Sequence, residues 1–395
     1  MPSTELLRSG QAIAPASLRA VPYSHGLAKP LRRVVLVAGG TAGHVYPALA
    51  VADAYKEQVP SVQLLFFGTP EGFEATLVPR YGYPLELVRS RPIFGENLLG
   101  KVRTIAGLGG AVLAARQKLT AAKADLVIGF GGYASVPTIL AARSLGLPTA
   151  IHECNAVAGL ANRLLGRFVD RIYLGFEAAA TQFDRRRVVV TGNPVRPDVA
   201  ALAGRPRPFP APGHPLRILV TGGSQGSSFL NRRTPPFLKR LAAIGVDLEV
   251  LHQSGSEDCQ SVSEAYRKAG LKAVVTPFID DMAEAYSWAD FAIACSGAST
   301  MSEVAVLGLP VLLVPLPTAA NNHQASNLAA FAQVTGVNWQ TEWAPDALFG
   351  EMNRLLHDEI GWRSLSQALN RFARREASRA IIADCEAIID RKMRE

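Results

Sequence analysis

Glycine-rich turns at the ends of apolar runs, and one histidine beside the first of them, carry most of the chemistry legible in this sequence. Val37-Ala38-Gly39-Gly40-Thr41-Ala42-Gly43-His44 is a β-branched run that closes in a glycine turn and opens a helix, expected from about Pro47. Glycines let backbone amides close on an anion, and the helix N-terminus adds partial positive charge. The run has no Gly-Lys-Ser/Thr of a Walker loop and is not a clean G-x-G-x-x-G. On glycines alone it reads equally as a plain βα turn. His44 tips the balance, because a titratable ring just inside such a turn sits where parallel sheets bind ligands. A lone histidine is nonetheless more often structural.

Further turns follow the same logic. Gly129-Phe130-Gly131-Gly132-Tyr133 ends a second strand, with a helix over Ser135 to Leu145. Ile151-His152-Glu153-Cys154-Asn155 ends another, and Glu153 and Asn155 suit sugar hydroxyls or, equally, a helix cap. Arg196, at the end of Thr191-Gly192-Asn193-Pro194-Val195, can fork a phosphate or pair with a surface acid. Gly222-Gly223-Ser224-Gln225-Gly226 repeats the phosphate-cradle pattern, and Phe278-Ile279-Asp280-Asp281-Met282 lies on the loop after a strand. In Cys295-Ser296-Gly297-Ala298-Ser299-Thr300-Met301-Ser302-Glu303, small residues lead into a helix whose first turn is expected to hold Glu303. That carboxylate either complements the helix dipole or accepts both hydroxyls of a ribose. Asn321-Asn322-His323-Gln324 is an amide-rich loop suited to sugar hydroxyls or simply to a turn.

The elements that must position these residues alternate. Short strands read at Val34–Val37, Leu64–Phe67, Leu126–Gly129, Thr149–His152, Arg171–Leu174 and Val188–Val190, with Ala/Leu-rich helical stretches between them. This is the pattern of parallel α/β sheets. A Pro/Gly-rich stretch from Gly204 to Gly213 interrupts it. Ile218 to Ser224 then restates the opening strand and its Gly-Gly turn, and strands follow at Leu248–His252, Ala273–Thr276, Phe291–Cys295 and Val311–Val314. The expectation is an α/β protein of two Rossmann-like domains facing across a cleft: a leader over 1–31, a first domain over 32–200, a linker over 201–215 and a second domain over 216–395. The helical segment from Asp346 to Arg394 is expected to pack on the second domain, with the option of reaching back to the first.

Composition narrows the classes. The 395 residues are 48% hydrophobic and 19% charged, which excludes a disordered chain. Aromatics are only 7%, so a stacked-ring nucleic-acid platform is disfavoured. No helix-turn-helix or zinc finger accompanies the net charge of +8 either. Cys154, Cys259, Cys295 and Cys385 are scattered, without a C-x-x-C pair, as in a reducing compartment. The leader sets Arg8, Arg19, Lys29, Arg32 and Arg33 against Glu5 and has no apolar h-region, so it is not a secretory signal. A bacterial extension is favoured over an organellar transit peptide. The charge-free run Val304 to Thr341 is cut by Pro310, Pro315 and Pro317, short of the roughly 20 apolar residues that span a bilayer.

Four blocks together resemble the MurG family of bacterial peptidoglycan N-acetylglucosaminyltransferases, which make lipid II. They are Gly39 to Ala50, Gly129 to Asn155, Gly222 to Gly226 and Ser296 to Glu303, in the family's order, and the match runs from about residue 32 to the C-terminus. The resemblance implies a GT-B architecture. The implied reaction is inverting, metal-independent transfer of GlcNAc from UDP-GlcNAc to the C4 hydroxyl of undecaprenyl-diphospho-MurNAc-pentapeptide, with no cofactor. It also implies that Thr41, Ala42, Gly43, Asn155, Arg196, Ser224, Ile279, Ala298, Ser299, Thr300, Met301, Ser302, Glu303 and Gln324 hold the UDP-sugar. Ile279 would meet the uracil through its backbone, Glu303 the ribose and Gln324 the GlcNAc. Ala42 stands where the family usually has Gly, and Cys154 where Gln is common. His44 is the candidate general base on the acceptor hydroxyl, since imidazole titrates near working pH.

The lipid-linked acceptor implies a peripheral enzyme on the cytoplasmic face of the bacterial inner membrane. Ile93, Phe94, Leu98 and Leu99, with Arg89, Arg91, Lys101, Arg103, Arg116 and Lys118, are expected to form its patch for anionic headgroups, or else a solvated helix face. The competing enzyme readings are other UDP-sugar GT-B proteins, such as a diacylglycerol galactosyltransferase or a UDP-GlcNAc 2-epimerase. A non-catalytic UDP-sugar-binding subunit is disfavoured by the presence of both halves and His44 in one chain.

Overall fold

The computed structural model describes residues 32–88, 98–211, 213–317, 319, 322–337 and 343–394, and over 98–106 the backbone only. The leader lies outside them, as do Arg89, Arg91, Ile93 and Phe94 and the side chains of Leu98, Leu99, Lys101 and Arg103.

The β-branched runs form two parallel sheets. The first holds β1 (Arg33–Val37), β2 (Gln63–Gly68), β3 (Leu85–Leu87), β4 (Leu126–Gly129), β5 (Thr149–Glu153), β6 (Arg171–Leu174) and β7 (Val188–Val190), in the order 3-2-1-4-5-6-7. The second holds β8 (Leu216–Thr221), β9 (Leu248–Gln253), β10 (Lys272–Thr276), β11 (Phe291–Cys295) and β12 (Val311–Val314), in the order 10-9-8-11-12. Central strands such as β4, β5 and β11, and the edge strand β12, are buried along their whole length, as befits strands covered on both faces by helices. β3 went unread in the sequence because it is only three residues long, too short a run to stand out.

Strand order reverses between β1 and β4 in the first sheet and between β8 and β11 in the second. Ligands of open α/β sheets bind outside the carboxyl ends of strands at such switch points. The turns after β1, β4, β8 and β11 are Gly39–His44, Gly129–Gly132, Gly222–Gly226 and Ser296–Glu303, the segments singled out by residue type alone.

Two helix starts differ from expectation. Helix α1 spans Ala42–Gln58 with Thr41 as its N-cap, so His44 stands in its first turn and Pro47 lies inside it. A proline there forfeits one backbone bond to the carbonyl of residue 43, a smaller loss than ending the helix. Helix α10 spans Ala298–Leu307 after the N-cap Gly297 and holds no acid in its first turn. The small residues expected to lead into the helix form that turn themselves. Glu303 therefore sits in the second turn, where neither a cap nor first-turn dipole complementation accounts for it.

Each half has its own core. Helices α12 (Pro345–Leu356) and α13 (Glu359–Phe372) pack on the second half, where Leu348, Met352, Trp362 and Leu369 join Phe291 and Ile293. The last helix, α14 (Ala377–Lys392), does not. Its Ile381, Ile382, Cys385 and Ile389 join Val45, Leu49, Ala52 and Tyr55 of α1 in the core of the first half. Buried Arg32 pairs with Glu386 at 3.3 Å and with Asp390, Tyr173 donates to Asp384 at 3.0 Å, and Arg171 pairs with Asp384 at 3.0 Å. The C-terminal segment is thus shared between the halves: α14 takes the reach-back option.

Candidate active site

The first glycine turn is braced from two sides. Gly40 has φ +86°, a left-handed conformation that favours glycine, and its N–H donates to Glu74 Oε2 at 3.0 Å. The second glycine turn lies directly against the first: a Cβ on Gly132 would come within 2.3 Å of the Gly39 carbonyl oxygen. The half-buried ring of His44 fits the slot between the turns. A Cβ on Gly131 would stand 2.8 Å from its Cδ2 and 2.9 Å from its Nε2. His44 Nδ1 lies 3.0 Å from the Gly39 carbonyl and 3.3 Å from Thr41 Oγ1. A carbonyl can only accept, so Nδ1 carries the proton and Nε2 keeps a lone pair. A neutral imidazole held in this way can take a proton at Nε2.

The two halves meet where the residues after β5 and β7 face those of α10 and α11 (His323–Thr335). Asn327 of α11 accepts from the backbone N–H of Ala156 at 2.8 Å and donates to Asn155 Oδ1 at 3.1 Å. Asn193 donates to Ser302 Oγ at 3.1 Å. Arg196, the N-cap of the short helix α6 (Pro197–Ala200), pairs with Glu303 Oε1 at 2.9 Å, and Tyr286 of α9 (Met282–Trp288) donates to Glu303 Oε2 at 2.8 Å. The guanidinium also lies 4.7 Å over the ring of Tyr46. Burial pushes the Tyr46 hydroxyl up to about 12, against the pull of Arg196. The partner of Arg196 is therefore not a surface acid but a buried carboxylate from the other half.

In the second half, Ser224 is half-buried in its turn, and Ser227 caps helix α7 (Ser228–Ala243) by accepting from the N–H of Leu230. Gln253, at the end of β9, ties two candidate segments together. Its amide donates to the Gly223 carbonyl and its oxygen accepts from the Ile279 N–H at 3.0 Å. Gln324 lies at the start of α11, where its Oε1 accepts from the Leu316 N–H at 2.9 Å and its carbonyl accepts from Ser296 Oγ at 3.0 Å. Ser299 Oγ is buried without a hydrogen-bond partner among the described residues, and Met301 points wholly into the core. Ala298, Ser299 and Thr300 form the first turn of α10, and Thr41, Ala42 and Gly43 begin α1.

Glu153 serves its own loop rather than capping a helix. Its carboxylate accepts from the N–H groups of Asn155 at 2.9 Å and Gly159 at 3.0 Å and from Asn162 Nδ2 at 2.9 Å, folding the loop before α5 (Leu160–Leu165). Glu74, Tyr286, Gln253 and Asn327 escaped the sequence reading. Only Glu74 carried a usable signal: Gly68 and Gly72 flank its loop, and a Cβ on either would fall within 2.3 Å of its side chain.

Residues 34–174 match the model of the glycosyltransferase family 28 N-terminal domain, and residues 217–359 that of its C-terminal domain. The chain belongs to glycosyltransferase family 28. Its family 28 relatives include a protein of Magnetococcus marinus, 42% identical over 77% of this chain and 83% of the relative, and one of Tolumonas auensis, 39% identical over 91% and 99%. Both are named UDP-N-acetylglucosamine–N-acetylmuramyl-(pentapeptide) pyrophosphoryl-undecaprenol N-acetylglucosamine transferase. The crystal structure of Acinetobacter baumannii MurG superposes with a TM-score of 0.70 at 32% identity, covering 90% of this chain and 99% of that one. A UDP-GlcNAc 2-epimerase from Neisseria meningitidis reaches a TM-score of 0.63 at 14% identity over 89% and 98%, a likeness of fold alone. The two Rossmann-like halves of this family 28 chain thus form a GT-B fold.

Proposed function

We propose that the chain transfers GlcNAc from UDP-GlcNAc to the C4 hydroxyl of undecaprenyl-diphospho-MurNAc-pentapeptide, inverting the anomeric centre without a metal and making lipid II. The observation that carries this reading is identity of 35–42% to enzymes named for that reaction, over most of the chain. Nδ1-protonated His44 fits the general base. Its free Nε2 takes the C4 proton as the oxygen attacks the anomeric carbon. Backbone amides of the Gly222–Gly226 turn and the Arg196 guanidinium would meet the charge that grows on the leaving UDP. The donor contacts follow the resemblance: Thr41, Ala42, Gly43, Asn155, Ser224, Ile279, Ala298 to Glu303, and Gln324. Donor binding then exchanges protein contacts for ligand contacts. Glu303 turns from Arg196 and Tyr286 towards the ribose, and Arg196 turns towards the diphosphate.

The enzyme works at the cytoplasmic face of the inner membrane as a peripheral protein. Among the described residues no helix is long and apolar enough to cross a membrane. Arg116 and Lys118 of the expected patch are tied to Ser144 and Glu86, which leaves them poorly placed to lead membrane contact. A second surface fits better. Leu160, Leu164 and Phe168 are exposed on and just after α5, interleaved with exposed Arg163 and Arg167. An apolar face set among basic residues suits an anionic interface. The reaction is tested by incubating the purified protein with UDP-GlcNAc and a short-chain lipid I analogue. Formation of β-1,4-linked disaccharide product, with UDP release that depends on the acceptor, is the expected result. UDP release without acceptor would point instead to an epimerase-like or hydrolytic reaction.

A further inference from the structure

Glu74 is wholly buried, opens helix α2 (Glu74–Arg80), and faces no cation among the contacts of its carboxylate. Oε1 accepts from the N–H of Thr69 at 2.7 Å and from Thr69 Oγ1 at 2.9 Å. Oε2 accepts from the N–H of Gly40 at 3.0 Å. Burying a carboxylate is costly unless its acceptor positions are filled. Here the chain supplies three donors and clears the space with Gly68 and Gly72. The N–H of Gly40 and the carbonyl of Gly39 belong to one peptide unit, and that carbonyl takes the Nδ1 proton of His44 at 3.0 Å.

We propose that Glu74 is a positioning residue for the glycosyl transfer: its carboxylate polarises the Gly39–Gly40 peptide, and that peptide in turn orients His44 and strengthens it as a base. The inference rests on His44 being the general base. Hydrogen bonds in a chain polarise one another, and an anion at one end raises the electron density of the carbonyl at the other. The arrangement does through a peptide what a carboxylate hydrogen-bonded directly to a histidine does in other active sites. The titratable groups facing His44 are Glu74 from α2, reached through the peptide, and His152 from β5. Burial holds the His152 ring down at about 4, so it stays neutral and adds no charge at working pH.

Glu74→Gln keeps the shape and turns an amide N–H₂ or a weaker, neutral acceptor towards Gly40. Turnover should fall roughly 10–100-fold, the usual scale for loss of a group that orients a catalytic histidine. The acidic limb of the pH–rate profile should move to lower pH, and KM for UDP-GlcNAc should hold. In a His44→Ala background the same substitution should cost nothing further. Thr69→Val, which withdraws one donor from the carboxylate, should move the limb the opposite way and provides the measurement if Glu74→Gln does not fold. An acidic limb unmoved in both variants, or additive losses in the double variant, would overturn the proposal while His44→Ala still lowered turnover strongly. Near-normal turnover of His44→Ala would instead remove the reading on which the proposal stands.

Discussion

Arg196 and Glu303 meet across the two halves at 2.9 Å with only 8% and 7% of their side chains exposed. Both belong to the set of residues expected to hold the donor. The two halves thus satisfy each other's charges at the site proposed for the sugar nucleotide. The contact ties the halves together, and in the proposed reaction donor binding would replace it.

Glu303→Gln leaves the guanidinium buried without its countercharge. Removing one partner of a buried pair costs about 3–5 kcal/mol. Denaturant unfolding should show that loss, and Arg196→Met combined with Glu303→Leu should recover much of it. Single-variant losses under about 1 kcal/mol, the level of a surface pair, would contradict the described burial.

His44→Ala should lower turnover by roughly 10²–10⁴-fold with the thermal midpoint unchanged. Steady-state kinetics with the short-chain acceptor read the effect.

Gln253→Ala should raise KM for UDP-GlcNAc roughly 10-fold, since a buried hydrogen bond left unmade costs about 1–3 kcal/mol. The affected groups are the Gly223 carbonyl and the Ile279 N–H, both on the proposed donor side. KM for the acceptor should not move. Equal rises in both would show a general loss of structure instead.

Two buried histidines set an acid limit on stability. Burial depresses both His152 and His252 to about 4. In the unfolded chain each takes up a proton near pH 6.5, whereas in the folded protein neither does until about pH 4. Stability is therefore full above about pH 6.5 and falls as pH drops towards 4, by roughly 1.4 kcal/mol per pH unit for each histidine. Unfolding midpoints measured at pH 7.5, 6, 5 and 4.5 should trace that decline. A flat profile would mean that the rings are protonated inside the fold.

Leu164→Asp with Phe168→Asp should weaken binding to anionic vesicles and leave turnover on a short-chain acceptor intact. Co-sedimentation with phosphatidylglycerol vesicles reads the first and the disaccharide assay the second. Unchanged sedimentation would remove α5 from the membrane surface.

Much of this was legible in the residues because parallel sheets announce themselves locally. Apolar runs such as Val34–Val37 and Phe291–Cys295 are buried on both faces, and their ends are punctuated by glycines that the switch points require. Long-range charge pairing was not legible. Nothing local marks Arg196 as the partner of a residue in α10, or Glu74 as the support of a turn formed earlier in the chain. Glu303 was misplaced by a turn because small residues such as Ala298 and Ser299 suit a loop and a helix start equally. Glu153, read as a ligand or a cap, proved to serve its own loop, since a strand-end carboxylate has the same composition in either role.

Helix α14 alters how the two halves can move. The chain passes between them twice, first through the segment after β7 and again between α13 and α14. At one point the crossings touch, where a Cβ on Gly192 would come within 2.3 Å of the Arg374 side chain, while Arg375 lies 3.4 Å from the same position on Gly204. Two adjacent straps behave like the knuckles of a door. They permit swinging about the line that joins them and resist sliding. Opening the cleft for a nucleotide is then a rotation about that line, and Arg196 lies within the first strap itself, between Gly192 and Gly204. Trimming the chain before residue 377 would leave a single strap, and a pivot free to twist.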